Sequence, residues 1–497
     1  MSTNMVELIK KIDFGDIDGL YDANLESYFI DDNYWQTIVE NNIYFVIGRK
    51  GTGKSAIYNW IEKQAGNNDA IISNMSFKDF PFEKLLTLKD EDFSRPNQFQ
   101  SIWRNIIFLE LASQITRDAN SVVNDEYKQL FDYVHYLFGD DVIDLHKQVV
   151  TKADKTSGSI SLKPLSLSAE STGNTTYARE FSNITQINRK LENLIINYFQ
   201  GYPETTRFLI QFDQLDDNYT QYQNMGEYHQ AIISLFKVIY DINQTFKSRN
   251  IKAKVVGYLR SDIYNSIDQF DAESARWDRY KLNLNWSIVN RDDWANARLL
   301  RMINKRIHLS IPSLSEYGAF NALFSKKVFD FDSRESIFKF VVHRGFHRPR
   351  DVLQFSIKIQ DEINRTNSIS RSTIPSAEKE YSLWLLSEIS NEIAVKINDQ
   401  DILHELLRIV GPQPFSLTEF KQQRYKNFEA KLGMDAESLL RYLYQFGIVL
   451  NRNRLKTHTE YYSIMRNDRS TLNRELKIQI HPGIWKGLHT STYSLRR

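Results

Sequence analysis

The sequence predicts an α/β fold with a mostly parallel sheet, followed by a helical lid and a C-terminal winged-helix domain. Three observations predict it. Over the first half of the chain, short apolar runs of strand length alternate with longer stretches of helical spacing, the order that builds a parallel sheet with crossover helices. From residue 287 onward the strand signals fade into helical periodicity. Near the C terminus two strand-like runs follow three helical ones, the order of a winged helix.

Ile43 to Ile47 is short and wholly apolar, as in a strand buried on both faces, and Ala56, Ile57, Trp60 and Ile61 then recur at helical spacing. AIISNMSF (70–77) is the second candidate strand, followed by a helix through SIWRNIIFLELASQIT (101–116). RFLIQFD (207–213) and AKVVGYLR (253–260) are the third and fourth, with the helical stretch AIISLFKVIYDINQTF (231–246) between them. The pattern breaks at TSGSISLKPLSLSAESTGN (156–174). There Ile160 and Leu162 alternate, as do Leu165 and Leu167 after a shift at Lys163 and Pro164, which predicts a β-hairpin inserted at about 150–178. The alternative is a low-complexity loop.

ANARLLRMINKRI (295–307) begins a mainly helical segment that reaches IKIQDEI (357–363), and NRTNSISRSTIPS (364–376) has linker composition. LWLLSEI and ILHELLRIV are helical in pattern, FSLTEFKQQ carries a capping box from Ser416 to Glu419, and AESLLRYLYQF stops at Gly447. GIVLNR and ELKIQI, either side of a polar stretch, read as two paired strands.

The first strand runs into Gly-x-x-x-x-Gly-Lys-Ser: Gly48, Arg49, Lys50, Gly51, Thr52, Gly53, Lys54 and Ser55, with Ala56 next in the following helix. Glycines let the backbone curl so that successive N–H groups face phosphate oxygens, and the helix N-terminus adds its positive end. Lys54 is spaced to reach the β- and γ-phosphates and the Ser55 hydroxyl to coordinate Mg²⁺, so the loop predicts ATP and magnesium. Such a site also needs an acid for the metal at the end of a neighbouring buried strand, and FLIQFDQLDD offers Asp213. Asp216 and Asp217 follow, and either is a candidate to orient or deprotonate the attacking water, with Asp217 preferred. The alternative is that both cap the next helix. The expected division is an N-terminal helical strap (1–40), a P-loop ATPase core (41–286), the helical lid (287–375) and the winged-helix domain (376–497).

Composition bounds the partners. Net charge is +1, from 63 Lys plus Arg against 62 Asp plus Glu, so no global field steers the chain to nucleic acid or membrane. With no cysteine, disulfides, thiolate metal sites and cysteine nucleophiles are excluded, which fits a reducing cytosol. The stretch MSTNMVELIKK lacks the apolar core of a signal peptide, and no run approaches the roughly 18 apolar residues of a membrane span. The expectation is a cytoplasmic protein without a membrane partner. His343 and His347 are an i, i+4 pair with no evident third ligand, which argues against zinc. Residues 441–497 hold 11 Lys plus Arg against 3 Asp plus Glu, with Arg452, Arg454, Lys456, Arg466 and Arg469 in the expected wing. That excess is consistent with non-specific nucleic-acid contact, although AESLLRYLYQF offers a single arginine for base readout and packing against the ATPase is the alternative.

In order and spacing, IGRKGTGKSA, FDQLDD, YLRSDIY, the LNW…LLRMINKRI stretch and FHRPRDVLQF resemble a bacterial P-loop ATPase family of AAA+/STAND type, related in outline to origin-recognition ATPases. The acid motif departs from the Asp-Gly-Leu-Asp-Asp form associated with that family, because Gln214 stands where the glycine would. The resemblance implies a polar sensor at Arg260, where a guanidinium stabilises charge developing during transfer, with simple pairing to Asp262 as the alternative. It implies a second sensor in HRGFHRPRD, at Arg348 or Arg350. Arg276 and Arg279 are candidate arginine fingers for a neighbouring copy. The function implied is an ATP-hydrolysing switch that couples nucleotide state to a homo-oligomer or an effector protein, a role often met in bacterial defence against phage. The alternative is an ATP-dependent DNA-binding initiator or repair-type clamp.

Overall fold

Strands β1 (Phe45–Gly48), β2 (Ala70–Ser76), β3 (Arg207–Asp213), β4 (Ala253–Leu259) and β5 (Lys281–Leu284) form one sheet in the order β2-β3-β4-β1-β5. β1 pairs with β4, β4 with β3 and β3 with β2, each in parallel, so the sheet is mostly parallel as the alternation of strands and helices predicts. The computed structural model describes residues 2–76, 97–118, 123–138, 184–201, 206–215, 225–267, 274–288, 291–393, 397, 399–426, 429–456, 459–467 and 469–488. The chain divides into two compact units, Asp32–Gly48 with Ile57–Asn283, and Met1–Asp31 with Arg49–Ala56 and Leu284–Arg497. The hairpin expected at about 150–178 lies outside the described residues.

In the sheet unit every residue of β4 is buried, as is all of β3 beyond Arg207. Helices cover both faces, which is why these strands are continuous Val, Ile, Leu and Phe rather than alternating. Within β3 the buried amide of Gln211 is satisfied: it donates to Asn74 Oδ1 at 2.9 Å and accepts from the Tyr258 hydroxyl at 2.6 Å. The Met225–Ser248 helix lies close over β4 at Gly257, where a Cβ would come within 3.2 Å of Ile239 Cδ1. Phe236 of that helix stacks on Phe45 of β1 at 4.3 Å, and the Trp103 indole donates to Ala231 O at 2.8 Å.

The strand register fixes what lies at the working edge. Phe45 and Phe212 both pair with Gly257, and Ile47 pairs with Leu259. The C-terminal ends of β1, β3 and β4 therefore share one edge of the sheet, carrying Gly48, Asp213 and Arg260, with adjacent strands about 4.8 Å apart.

In the other unit the Ser2–Lys10 helix buries Val6 and Ile9, and Gln360 donates to the Ile9 and Ile12 carbonyls at 2.8 Å each, satisfying acceptors at the end of that helix. Arg306 donates to Phe14 O at 2.6 Å and to Asp22 at 3.2 Å, with its guanidinium 3.8 Å from the Tyr28 ring. Segment 364–376, linker-like in composition, is largely helical. The Pro349–Thr366 helix runs on to an Asn367 cap at φ 52°, and the next helix spans Thr373–Ile393. The Ser and Thr residues between them act as turn and cap groups: the Thr373 hydroxyl accepts from Ser370 N at 3.0 Å.

β6 (Val449–Arg454), β7 (Thr459–Tyr462) and β8 (Lys477–Ile480) form an antiparallel sheet in the order β7-β6-β8. β6 with β8 is the pair read from the sequence. β7 comes from the polar stretch, and no residue of TEYY is fully buried, so the strand carries no apolar alternation. The Ser416 hydroxyl accepts from Glu419 N at 3.2 Å, but the Glu419 carboxylate pairs with Arg424 at 2.6 Å, so half of the expected capping box forms. Gly447 at φ 70° ends the Ala436–Gln445 helix. Gly487 N donates to Ser382 Oγ at 2.8 Å and Lys486 pairs with Glu378 at 2.6 Å, so the C-terminal segment packs on the Thr373–Ile393 helix within one apolar core that extends from Val6 to Leu488. No helix among the described residues is long and apolar enough to cross a membrane.

Candidate nucleotide site

The chain leaves β1 at Gly48, turns through Arg49–Gly53 and enters the Lys54–Lys63 helix. Gly51 and Gly53 make the turn at φ 79° and 92°, in the left-handed region where a side chain is strained. Arg49 O closes the turn by accepting from Thr52 N at 3.2 Å, the Thr52 hydroxyl at 2.8 Å and Lys54 Nζ at 3.4 Å. Lys54 is buried, 8% exposed, so its ammonium is held against the loop rather than extended into solvent. Ser55 and Ala56 are in the first turn of the helix, whose leading N–H groups have no partner within the helix.

The next three carbonyls are taken by other parts of the same unit. Lys50 O accepts from Arg348 Nη1 at 2.9 Å, Gly51 O from Arg350 N at 3.4 Å and Thr52 O from Trp286 Nε1 at 2.9 Å. Arg348, 2% exposed, also grips Asp351 with two bonds of 2.9 Å, and Asp351 and then Glu392 hold its guanidinium protonated against the opposing effect of burial. Arg350 and Lys50 share Glu388, at 3.4 and 3.1 Å. Arg49 Nη1 donates to Gln445 O at 3.0 Å. The structure thus places both expected second-sensor arginines beside the loop. Trp286 lies in the LNW stretch that carried part of the resemblance, but its donor role was missed; an indole N–H half-way into a core, which must find an acceptor, was the available signal.

In the sheet unit Asp213 ends β3 and is 3% exposed. Burial and then the Asp213 carboxylate push the Tyr258 phenol well up from its ordinary value, and the same two causes raise Tyr58. Gln214, in the place of the family's glycine, adopts φ 58°. A glycine would meet no strain there, whereas Gln214 holds the left-handed backbone with its amide accepting from the Ser76 hydroxyl. Asp216 and Asp217 lie outside the described residues. Arg260 forms a two-pronged pair with Asp262, at 3.0 and 2.6 Å, the alternative weighed for it from the sequence. Arg276 and Arg279 fall in a short 3-10 segment, Ser274–Tyr280, of the same unit.

Among the basic residues of the C-terminal sheet, Arg454, Lys456 and Arg469 are exposed. Arg466 is turned inward, where burial lowers its pKa and its Nη1 approaches Tyr461 O at 3.5 Å. His343 pairs with Glu335 at 2.8 Å, while burial, then Arg466, hold the His347 imidazole well below its usual range. Among the described residues no group of three or more His, Asp or Glu is placed to hold a metal.

Residues 297–390 match a family described as the FunZ-associated C-terminal helical domain, a range that begins just before the Arg298–Ser310 helix and ends within Thr373–Ile393. The chain is 23% identical, over an alignment of 517 residues, to the putative transposon gamma-delta 80.3 kDa protein of Escherichia coli (strain K12), covering 97% of this chain and 68% of that protein. Among solved structures, a RuvB mutant of Thermotoga maritima matches with a TM-score of 0.23 and 13% identity, covering 61% of this chain and 75% of that one.

Proposed function

We propose that this chain is a magnesium-dependent ATPase working as a nucleotide-driven switch. The observation that carries the reading is the loop between β1 and the Lys54–Lys63 helix: two left-handed glycines, and carbonyls bonded to the protein on one side. A planar trans peptide sets each carbonyl opposite the following N–H, so a loop whose carbonyls are bonded to protein turns amides the other way, as a polyphosphate requires. The donor set also fits, with Gly48–Ala56 supplying amides other than the Thr52 N–H that closes the turn on Arg49 O, Lys54 a cation and Ser55 a hydroxyl. Magnesium, when bound, neutralises charge on the phosphate oxygens. Ser55 and Asp213 are the residues that the sequence motifs assign to hold it.

Arg260 in this reading stabilises charge near the γ-phosphate once released from Asp262. Arg348 and Arg350 couple the loop to the helices that carry them, and those helices change the contacts available to a second copy or an effector. The basic C-terminal sheet supports a second reading, an ATP-dependent clamp on nucleic acid, through the exposed Arg454, Lys456 and Arg469. A role in defence rests on the family resemblance alone.

The test is ATP turnover by the purified chain with magnesium, beside Lys54→Ala and Asp213→Ala. Both variants are expected to lose turnover by at least about a hundredfold, as for removal of one transition-state stabilising group, and Asp213→Ala to keep part of its nucleotide binding. Hydrolysis at the wild-type rate in either variant refutes the site.

A further inference from the structure

We infer that Trp286 and Arg348 are positioning residues of the nucleotide loop: they hold its carbonyls so that the amides of Gly53 and Gly51 are set for phosphate. This rests on the nucleotide reading above. Trp286 Nε1 donates to Thr52 O and Arg348 Nη1 to Lys50 O, both at 2.9 Å. Across a planar trans peptide the N–H that follows each carbonyl points the opposite way, so the Thr52 carbonyl turned to Trp286 sends the Gly53 N–H away from it. The Lys50 carbonyl turned to Arg348 does the same for the Gly51 N–H. At these positions φ is 92° and 79°, and glycine gives little intrinsic resistance to a peptide flip, so the loop alone does not secure that orientation.

Both donors are themselves held. Asp351 takes the other edge of the Arg348 guanidinium, and also accepts from Phe346 N at 2.8 Å, which fixes the fork before it reaches the loop. Arg298 lies over the Trp286 ring at 4.3 Å. Neither donor is on the loop or its helix; they stand 234 and 298 positions away along the chain. The assignment makes them determinants of diphosphate as well as triphosphate binding, because the amides they orient are present for either ligand. A sensor of the γ-phosphate would instead discriminate between the two.

The experiment is equilibrium binding of fluorescent ADP and ATP analogues to the full chain, its Trp286→Phe variant and its Arg348→Lys variant, with unfolding midpoints measured without nucleotide. Trp286→Phe keeps a ring over which Arg298 can lie and removes the donor together with the five-membered ring that carries it. Arg348→Lys keeps the charge but cannot span both Asp351 and the Lys50 carbonyl. Each is expected to weaken ADP and ATP by the same factor, about five- to tenfold, the equivalent of one hydrogen bond. Wild-type affinity for ADP in both variants overturns the inference, as does a loss confined to ATP. If the unaltered chain binds neither nucleotide, the nucleotide reading itself fails and this one with it, an outcome distinct from a variant that matches a binding-competent wild type.

Discussion

Gly51 and Gly53 look equivalent in the motif, and both sit at positive φ, yet their surroundings differ. A Cβ on Gly51 would come within 2.9 Å of Arg350 Cβ, while a Cβ on Gly53 would find nothing nearer than Ala56 Cβ at 3.9 Å. Left-handed backbone costs a side chain about 1–2 kcal/mol at either position, but only Gly51 adds a collision with a residue pinned by Glu388. Gly51→Ala is therefore expected to lower stability more than Gly53→Ala, by about 1 kcal/mol or more, in urea unfolding of the two variants. Equal losses would show that Arg350 yields freely. The motif made both glycines legible in the sequence, but their ranking depends on Arg350, which is far along the chain. Gln214 is a parallel case: its departure from the family's glycine was visible in the sequence, and its φ of 58° supplies the reason a glycine suits that place.

Among the elements, β4 shows how much a strand's sequence leaves unsaid. Its burial on both faces follows from AKVVGYL, except for Lys254, 8% exposed. The ammonium turns to the end of the Trp35–Glu40 turn of helix, donating to the Ile38 and Asn41 carbonyls and to Val39 O at 3.4 Å. Burial, and then the Arg207 cation, lower its pKa to about 7. The folded pKa lies below the unfolded value of about 10.4, so between those limits the unfolded chain binds more protons and stability rises with pH. The slope contributed is at most about 1.4 kcal/mol per pH unit. Lys254→Met is expected to flatten the rise in urea midpoint between pH 7 and 10, and an unaltered slope would mean that another group titrates there. β7 is the opposite case, a strand hidden from the sequence because its half-exposed residues give no alternation, and visible only through its ladder to β6.

For the whole molecule the question is whether nucleic acid drives the proposed nucleotide switch. Net charge is near zero, and of the cations clustered near the C terminus Arg466 is turned inward while Arg474 and Arg441 both pair with Glu437. Among the described residues the exposed remainder is a small electrostatic footprint. ATP turnover is therefore expected to be unchanged by duplex DNA at physiological salt. Turnover that rises with DNA, together with binding that weakens steeply as salt increases, would move the conclusion to the clamp reading.

What the sequence by itself determined is local: strands β1 to β4 of the five-stranded sheet, most helices, the glycine turn after β1 and the aspartate at the end of β3, because each is a pattern over a few neighbouring residues set by backbone geometry and burial, whereas the short, mostly half-exposed β5 carries no such pattern. The tertiary structure alone decided which groups hold the loop. Hydrogen bonds from Trp286 to Thr52 and from Arg348 to Lys50 join positions hundreds of residues apart, and no local periodicity encodes a partner that is near only once the chain has folded.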